Sequence, residues 1–290
     1  MIDAYFIHLL ILIGIYSILA ISLQLSLGYS GLLNLGHIAF FGIGAYTFAI
    51  LAIADLQSIF CLLMAGVVSA LFGYLLSIPT NKLKGDYLAL MSLGFSFVVY
   101  AIIINWNELT HGPLGLSGIP RPIILGFDFS SNVSFFVLVL IVALFSFLFI
   151  YRLANSLFGK ALEATRDDEL AARSLGKNTS KLKSISLTTS AFFAGIAGAI
   201  FASYITFIDP SSFTFTSLVP ILLIVIIGGI ASLRGTFIAT IIIIILPELF
   251  RFIGLPSEFL GPVRQIFYAL TLILIVYFNP RGFYGKINLE

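Results

Sequence analysis

Nine long apolar windows, set apart by glycine, proline, asparagine and charge, leave this chain few ways to fold in water. They run about 4–26, 36–54, 59–79, 87–105, 133–151, 184–208, 217–231, 236–252 and 264–279. A helix needs about 20 apolar residues to cross about 30 Å of hydrocarbon, so nine spans use most of the 290 residues and leave short loops. Side chains that are 60% hydrophobic and only 10% charged, with a mean hydropathy of +1.12, fit that reading. Long runs, not ten-residue alternations, exclude a membrane barrel. The fold class is therefore all-α: a polytopic helical membrane protein of about nine spans, with residues 1–290 as one transmembrane domain in a lipid bilayer. A net charge of +2 excludes a nucleic-acid binder built on a basic surface, and the single cysteine, Cys61, excludes an intramolecular disulfide.

The first window lacks a basic leader region and is followed at once by more apolar chain, so it reads as a span and not a cleavable signal. Loops rich in Lys and Arg stay cytoplasmic. Segment 152–183 holds seven of the chain's 15 basic residues, and placing it inside puts Lys82, Lys84, Arg234, Arg281 and Lys286 inside too. Only Arg121, Arg251 and Arg264 then fall on the outer side. The N-terminus lies outside and the C-terminus inside.

Within the inner loop, 152–183, Thr165 and Asp168 have the spacing of a capping box, and Gly176 can take the left-handed conformation that closes a helix. Asp167, Asp168 and Glu169 suit the positive N-terminal end, and Arg173 and Lys177 the other. The spacing predicts a helix over Arg166 to Leu175, about 15 Å long. With the small Ala171 and Ala172 between charges, it suits a groove on a soluble partner. An interfacial helix or a solvated connector fits the same pattern.

Residues 28–44, GYSGLLNLGHIAFFGIG, carry five glycines together with Asn34 and His37, and GGIASLRG at 228–235 interrupts the other half of the chain. Paired interruptions point to a translocation path, although close helix packing explains glycines such as Gly195 and Gly198 equally well. The candidates for lining a path are Asn34, His37, Gly42, Gly85, Asp86, Tyr87, Gly228 and Gly229. Glu248 and Arg251, three apart on one helix, can pair with each other.

The chain has no GxxxxGK[ST] phosphate loop, no HExxH and no GxSxG, and its three histidines and one cysteine form no metal-ligand pattern. No enzyme chemistry is nominated. A passage function fits better.

LGYSGLLNLGHIAFFGIGAY, LKGDYLALMSLGF, THGPLGLSGIP and, most specifically, GKALEATRDDELAARSLGKNTSKLKSISLTTSAFFAGIAGAIFA resemble the permeases of branched-chain amino-acid ABC importers of the LivM type. IIGGIASLRGTFIAT and LPELFR agree in order and spacing, so the resemblance covers about residues 25–280. It implies a permease subunit in a bacterial inner membrane that works with a second, LivH-like permease, two cytoplasmic ATPases and an extracytoplasmic binding protein. ATP and magnesium would bind the ATPases, and no cofactor this chain. It carries an ATPase-coupling role onto Glu163, Arg166, Asp167, Asp168, Ala171, Ala172, Leu175 and Gly176. The outer loop, with Trp106, Thr110, His111 and Gly112, would meet the binding protein. His111 stands where the family's string has glycine, which leaves the outer gate in question. Permeases for urea or another small polar solute look similar, and an ion-coupled secondary transporter is the competing class.

Overall fold

The computed structural model describes residues 2–80, 86–124, 126–252, 257–278 and 282–285. Its helices are α1 (Ile2–Gln24), α2 (His37–Ile53), α3 (Ser58–Thr80), α4 (Asp86–Asn105), α5 (Asn107–Thr110) and α6 (Asn132–Ala154). They continue as α7 (Leu157–Asp167), α8 (Glu169–Ser174), α9 (Thr179–Ile205), α10 (Phe215–Gly228), α11 (Leu233–Phe252) and α12 (Ser257–Phe278). Every apolar window coincides with one of them. Five helical stretches among the described residues are long and apolar enough to cross a membrane, namely Ala4–Tyr29, Ser58–Pro79, Tyr87–Asn105, Asn132–Ala154 and Thr179–Ile205. His37–Ile53, Phe215–Gly228 and Gly261–Ile275 are shorter apolar helices. Large apolar side chains exposed along α3, α4 and α6, such as Leu71, Val98 and Leu144, are what a membrane-embedded bundle turns to lipid.

Two helices, α1 and α9, form the buried centre. Serines join them: Ser190 Oγ donates to the Ser22 carbonyl at 2.6 Å, and Ser186 Oγ to the Leu25 carbonyl at 3.1 Å. On its other faces α9 packs against α2 and α3 through small residues. A Cβ on Gly44 would strike the backbone of Gly195, and one on Gly198 would strike the Phe41 carbonyl. Lipid tails give helices no hydrophobic reason to associate, so close backbone approach of this kind holds them together.

At one end of the bundle the Gly- and Pro-rich segment after α4 holds the first three of four two-residue strands, a local exception to the all-α expectation. These are β1 (Leu116–Ser117), β2 (Ile123–Ile124), β3 (Phe127–Asp128) and β4 (Phe207–Ile208). β1 pairs antiparallel with β4, and β2 with β3, which ties the segment down onto the end of α9.

At the other end the single helix expected over Arg166–Leu175 is two helices meeting at an elbow. Asp168 is extended (φ −150°, ψ 101°), ends α7 and caps α8 by accepting from the Leu170 and Ala171 amides. Thr165 takes no part in that cap: its Oγ1 donates back to the Ala161 carbonyl inside α7. The true start of α7 is capped by Ser156, which accepts from the Phe158 and Gly159 amides. An aspartate that satisfies two free amides at once outcompetes continuation of the helix through it. Gly176 has φ +78° after α8, the left-handed closure its position required.

Overpacking the α2/α9 contact is expected to loosen the bundle. Gly198→Val, set against the Phe41 carbonyl, should cost about 3 kcal/mol or more. A lowered melting midpoint in detergent checks this. An unchanged midpoint contradicts the packing.

Candidate functional site

Both glycine-rich interruptions prove to be turns between helices, and they are buried against each other at the elbow end. α1 runs on as a π-helical turn, Leu25–Tyr29, and the chain then descends through a turn to α2. Gly28, Ser30, Leu32 and Asn34 in this first turn are buried, as are Gly228, Gly229 and Ala231 in the second. Gln24 Nε2 donates to the Gly229 carbonyl at 2.7 Å, and a Cβ on Gly28 would lie 2.8 Å from the Ala231 nitrogen. Gly229 (φ +96°) and Ala231 (φ +61°) both have left-handed-side backbones, which for alanine stores strain that the surrounding packing must hold.

Buried irregular backbone survives only if its polar groups are paired. The pairing here comes from several elements. Besides the α9 serines, Ser26 Oγ donates to the Leu23 carbonyl and Ser30 Oγ to the Ser26 carbonyl, at 3.1 and 2.7 Å. The Leu35 amide donates to Ser92 Oγ of α4 at 2.9 Å. From the elbow, Arg166 Nη1 donates to the Gly28 carbonyl at 2.6 Å.

Asn34 and His37 are fully buried and serve the turn. Asn34 Oδ1 accepts from the Gly36 amide, and His37 Nε2 lies 3.0 Å from Ser22 Oγ and 3.1 Å from the Leu19 carbonyl oxygen. Gly42 is packed against the Phe213 ring. Tyr87 is exposed at the start of α4 and does not join the two turns. Gly85 and the side chain of Asp86 lie outside the described residues. Of the expected path-lining set, then, Asn34, His37, Gly228 and Gly229 converge on the buried turns.

At the elbow the expected coupling residues divide. Leu175 stands out at 81% exposure with Asp167, Asp168, Ala171 and Gly176 also exposed, whereas Ala172 is buried; beside them Leu170, which sequence reasoning did not single out, is 69% exposed. Arg166 turns inward, its side chain only 14% exposed while pairing with Asp167 at 2.8 Å. Glu163 is half-buried. A cavity of about 390 Å³ lies between the elbow and the first turn, lined in part by Ser30, Gly31, Arg166, Asp168, Glu169 and Lys183.

Glu169 fastens α8 to α9. Lys183 Nζ lies 2.7 Å from one carboxylate oxygen, and Arg173 Nη2 and Thr179 Oγ1 donate to the other at 2.7 and 3.0 Å. Burial alone pushes the carboxyl's pKa up, but the bonds from Lys183 and Thr179, with the charges of Lys183 and Arg173, hold it below its ordinary value. Lys183, Gln24 and the serine ladder escaped sequence reasoning, because a polar side chain that mends a distant backbone carries no local pattern.

At the opposite end Thr110 Oγ1 donates to the Ile103 and Trp106 carbonyls at 2.6 and 2.7 Å, and His111 (φ +56°) and Gly112 (φ +55°) turn the chain sharply. Thr110 and Gly112 shape that segment, while Trp106 and His111 are exposed. Glu248 accepts from Tyr5 Oη at 2.6 Å and from Arg264 Nη2 of α12 at 2.7 Å, so it joins α1, α11 and α12. The side chain of Arg251, its expected partner, lies outside the described residues.

Residues 5–277 match the family described as branched-chain amino acid transport system, permease component. This chain belongs to that family. The permease is 37% identical over 292 residues to the LivM protein of Salmonella typhimurium, named a high-affinity branched-chain amino acid transport system permease, covering 92% of this chain and 67% of that one. The Escherichia coli K12 LivM is 38% identical with the same coverage. A probable LivM of Methanocaldococcus jannaschii is 27% identical over 323 residues, 94% of this chain and 91% of the relative. No solved structure matches.

The folded state holds the Glu169 carboxyl below its unfolded pKa, so its ion pairs contribute fully above roughly pH 5 and are lost as pH falls through the depressed value. The protection factors of the Ala171–Leu175 amides, exchange rates corrected for the intrinsic rate at each pH, should therefore fall on acidification in the native permease and be low already at pH 7 in Glu169→Gln. Equal protection in both proteins at pH 7 contradicts this.

Proposed function

We propose that this chain is a transmembrane permease subunit of an ABC importer that passes leucine, isoleucine and valine inward. The solute comes from a binding protein at the end bearing Trp106 and His111. The elbow end faces the cytoplasm, where α7 and α8 dock in a cleft of one of the two ATPase subunits, which hold ATP and magnesium. A second, LivH-like permease completes the pathway. In this reading the protein lies in a bacterial inner membrane with about nine spans, N-terminus outside and C-terminus inside, as the distribution of Lys and Arg favours.

The observation that carries the reading is the elbow itself. It presents two apolar side chains, Leu170 and Leu175, to solvent from a short capped helix, rimmed by the exposed Asp167, Asp168 and Arg173, while Arg166 and Glu169 are turned in and bonded to the bundle. Apolar residues on a firm support suit the centre of a docking interface, where charge is depleted. Membership of the permease family supplies the class of partner. An ion-coupled carrier fits less well. Its carboxylate would have to be free to gain and lose a cation, whereas Glu248 is bound to Arg264 and Tyr5 in an arrangement suited to anchoring helices.

Leu170→Asp combined with Leu175→Asp is expected to abolish co-purification of the ATPase subunits and to cut ATP-driven uptake by on the order of a hundredfold, since each lost central apolar contact weakens docking more than tenfold. The melting midpoint should be kept, because both side chains are exposed in the isolated chain. Uptake at the native rate by this variant would overturn the docking assignment.

A further inference from the structure

The two turns and the elbow are bonded into one unit, and one side chain makes the direct bond from α7. Arg166 sits in the last turn of α7, just before Asp168 at the elbow, 14% exposed, with Nη1 on the Gly28 carbonyl at 2.6 Å. Its aliphatic stem lies against Gly31 (φ +68°), where a Cβ would come within 2.7 Å of Arg166 Cγ. Gly28 in turn touches Ala231 of the second turn, and Gln24, one helical turn before it, holds the Gly229 carbonyl. The chain of contact from α7 to both broken segments is therefore continuous: Arg166, Gly28, Gln24, Gly229.

A planar guanidinium can hold a carbonyl and a carboxylate together, and here it spans the Gly28 carbonyl and the Asp167 carboxylate at the mouth of the elbow. Asp167 is 65% exposed, so a body that seats on the elbow can pair with Asp167 and draw it off the guanidinium without touching Arg166. We propose that Arg166 is a positioning residue for transport: it transmits displacement of the α7–α8 elbow to the Gly28 turn, and through Gln24 to the Gly229 turn, so that the two buried turns open and close with the docked ATPases. Arg166 is thus an internal link and not a docking contact. The inference deepens the importer reading and rests on it.

The test uses the whole complex, with partner permease, ATPases and binding protein, in proteoliposomes. In Arg166→Gln the ATPases should co-purify in native ratio while the ATP hydrolysed per solute carried rises on the order of tenfold, the size expected for losing one charged hydrogen bond that couples two elements. Hydrogen exchange should quicken in residues 25–36 and not in α2 or α3. Arg166→Lys, which keeps the cation and one donor, should recover part of both. A purely structural role would lower yield and melting midpoint without moving the ratio of ATP to solute. A native ratio in Arg166→Gln overturns the link. Loss of ATPase co-purification in the variants would do the same, because it makes Arg166 a docking contact. If the native complex itself carries nothing on ATP, the importer reading falls, and the link falls with it.

Discussion

Buried backbone groups have no water to fall back on, and the arrangement of this permease follows from where its buried helices break. The first helix ends as a π-helical turn and the chain runs on without helix for several residues before α2. The backbone of that stretch is mended from α9, from α4 and from the elbow, by Ser186, Ser92 and Arg166. An element with partners on three others cannot move alone. The same bonds that make the break tolerable make it the junction of the molecule.

The rest of the architecture serves that junction. Small residues let α2, α3 and α9 approach closely, which fixes the frame against which the first turn is buried. Glu169 and Lys183 clamp α8 to the start of α9, and α9 delivers the serines, so the elbow reaches the broken helix by two routes, one ionic and one through α9. The second turn joins by Gln24, and the chain near the C-terminus adds to it, with the Phe283 amide donating to the Ile227 carbonyl at 2.8 Å. The opposite end is built differently, from short strand pairs and tight turns that present Trp106 and His111 without linking them to the junction.

Hydropathy made the helices legible, since each apolar window became a helix, and the two glycine strings marked both breaks. Composition could not show that the two breaks meet, because their contact depends on Gln24 and Ala231, neither of which stands out locally. Asp168 was misread because Thr165 and Asp168 have capping-box spacing, yet an aspartate caps as readily as it answers a cap, and only the path of α7 decides. Asn34 and His37 stood out in the sequence as polar residues in an apolar run; in the structure Asn34 caps the turn at Gly36 and His37 faces Ser22 and Leu19 of α1. The split of the coupling residues into exposed leucines and an inward arginine depends on which face α7 presents to α1, which spacing does not reveal.

The central claim is that this permease moves branched-chain amino acids by ATP-driven opening of its buried turns. The most direct measurement is uptake of leucine, isoleucine and valine into proteoliposomes holding the full complex, with urea as the comparison solute. The account predicts uptake that needs both ATP and binding protein, persists when ion gradients are collapsed and does not extend to urea. Uptake without ATP that follows an ion gradient, or preference for urea, would contradict it.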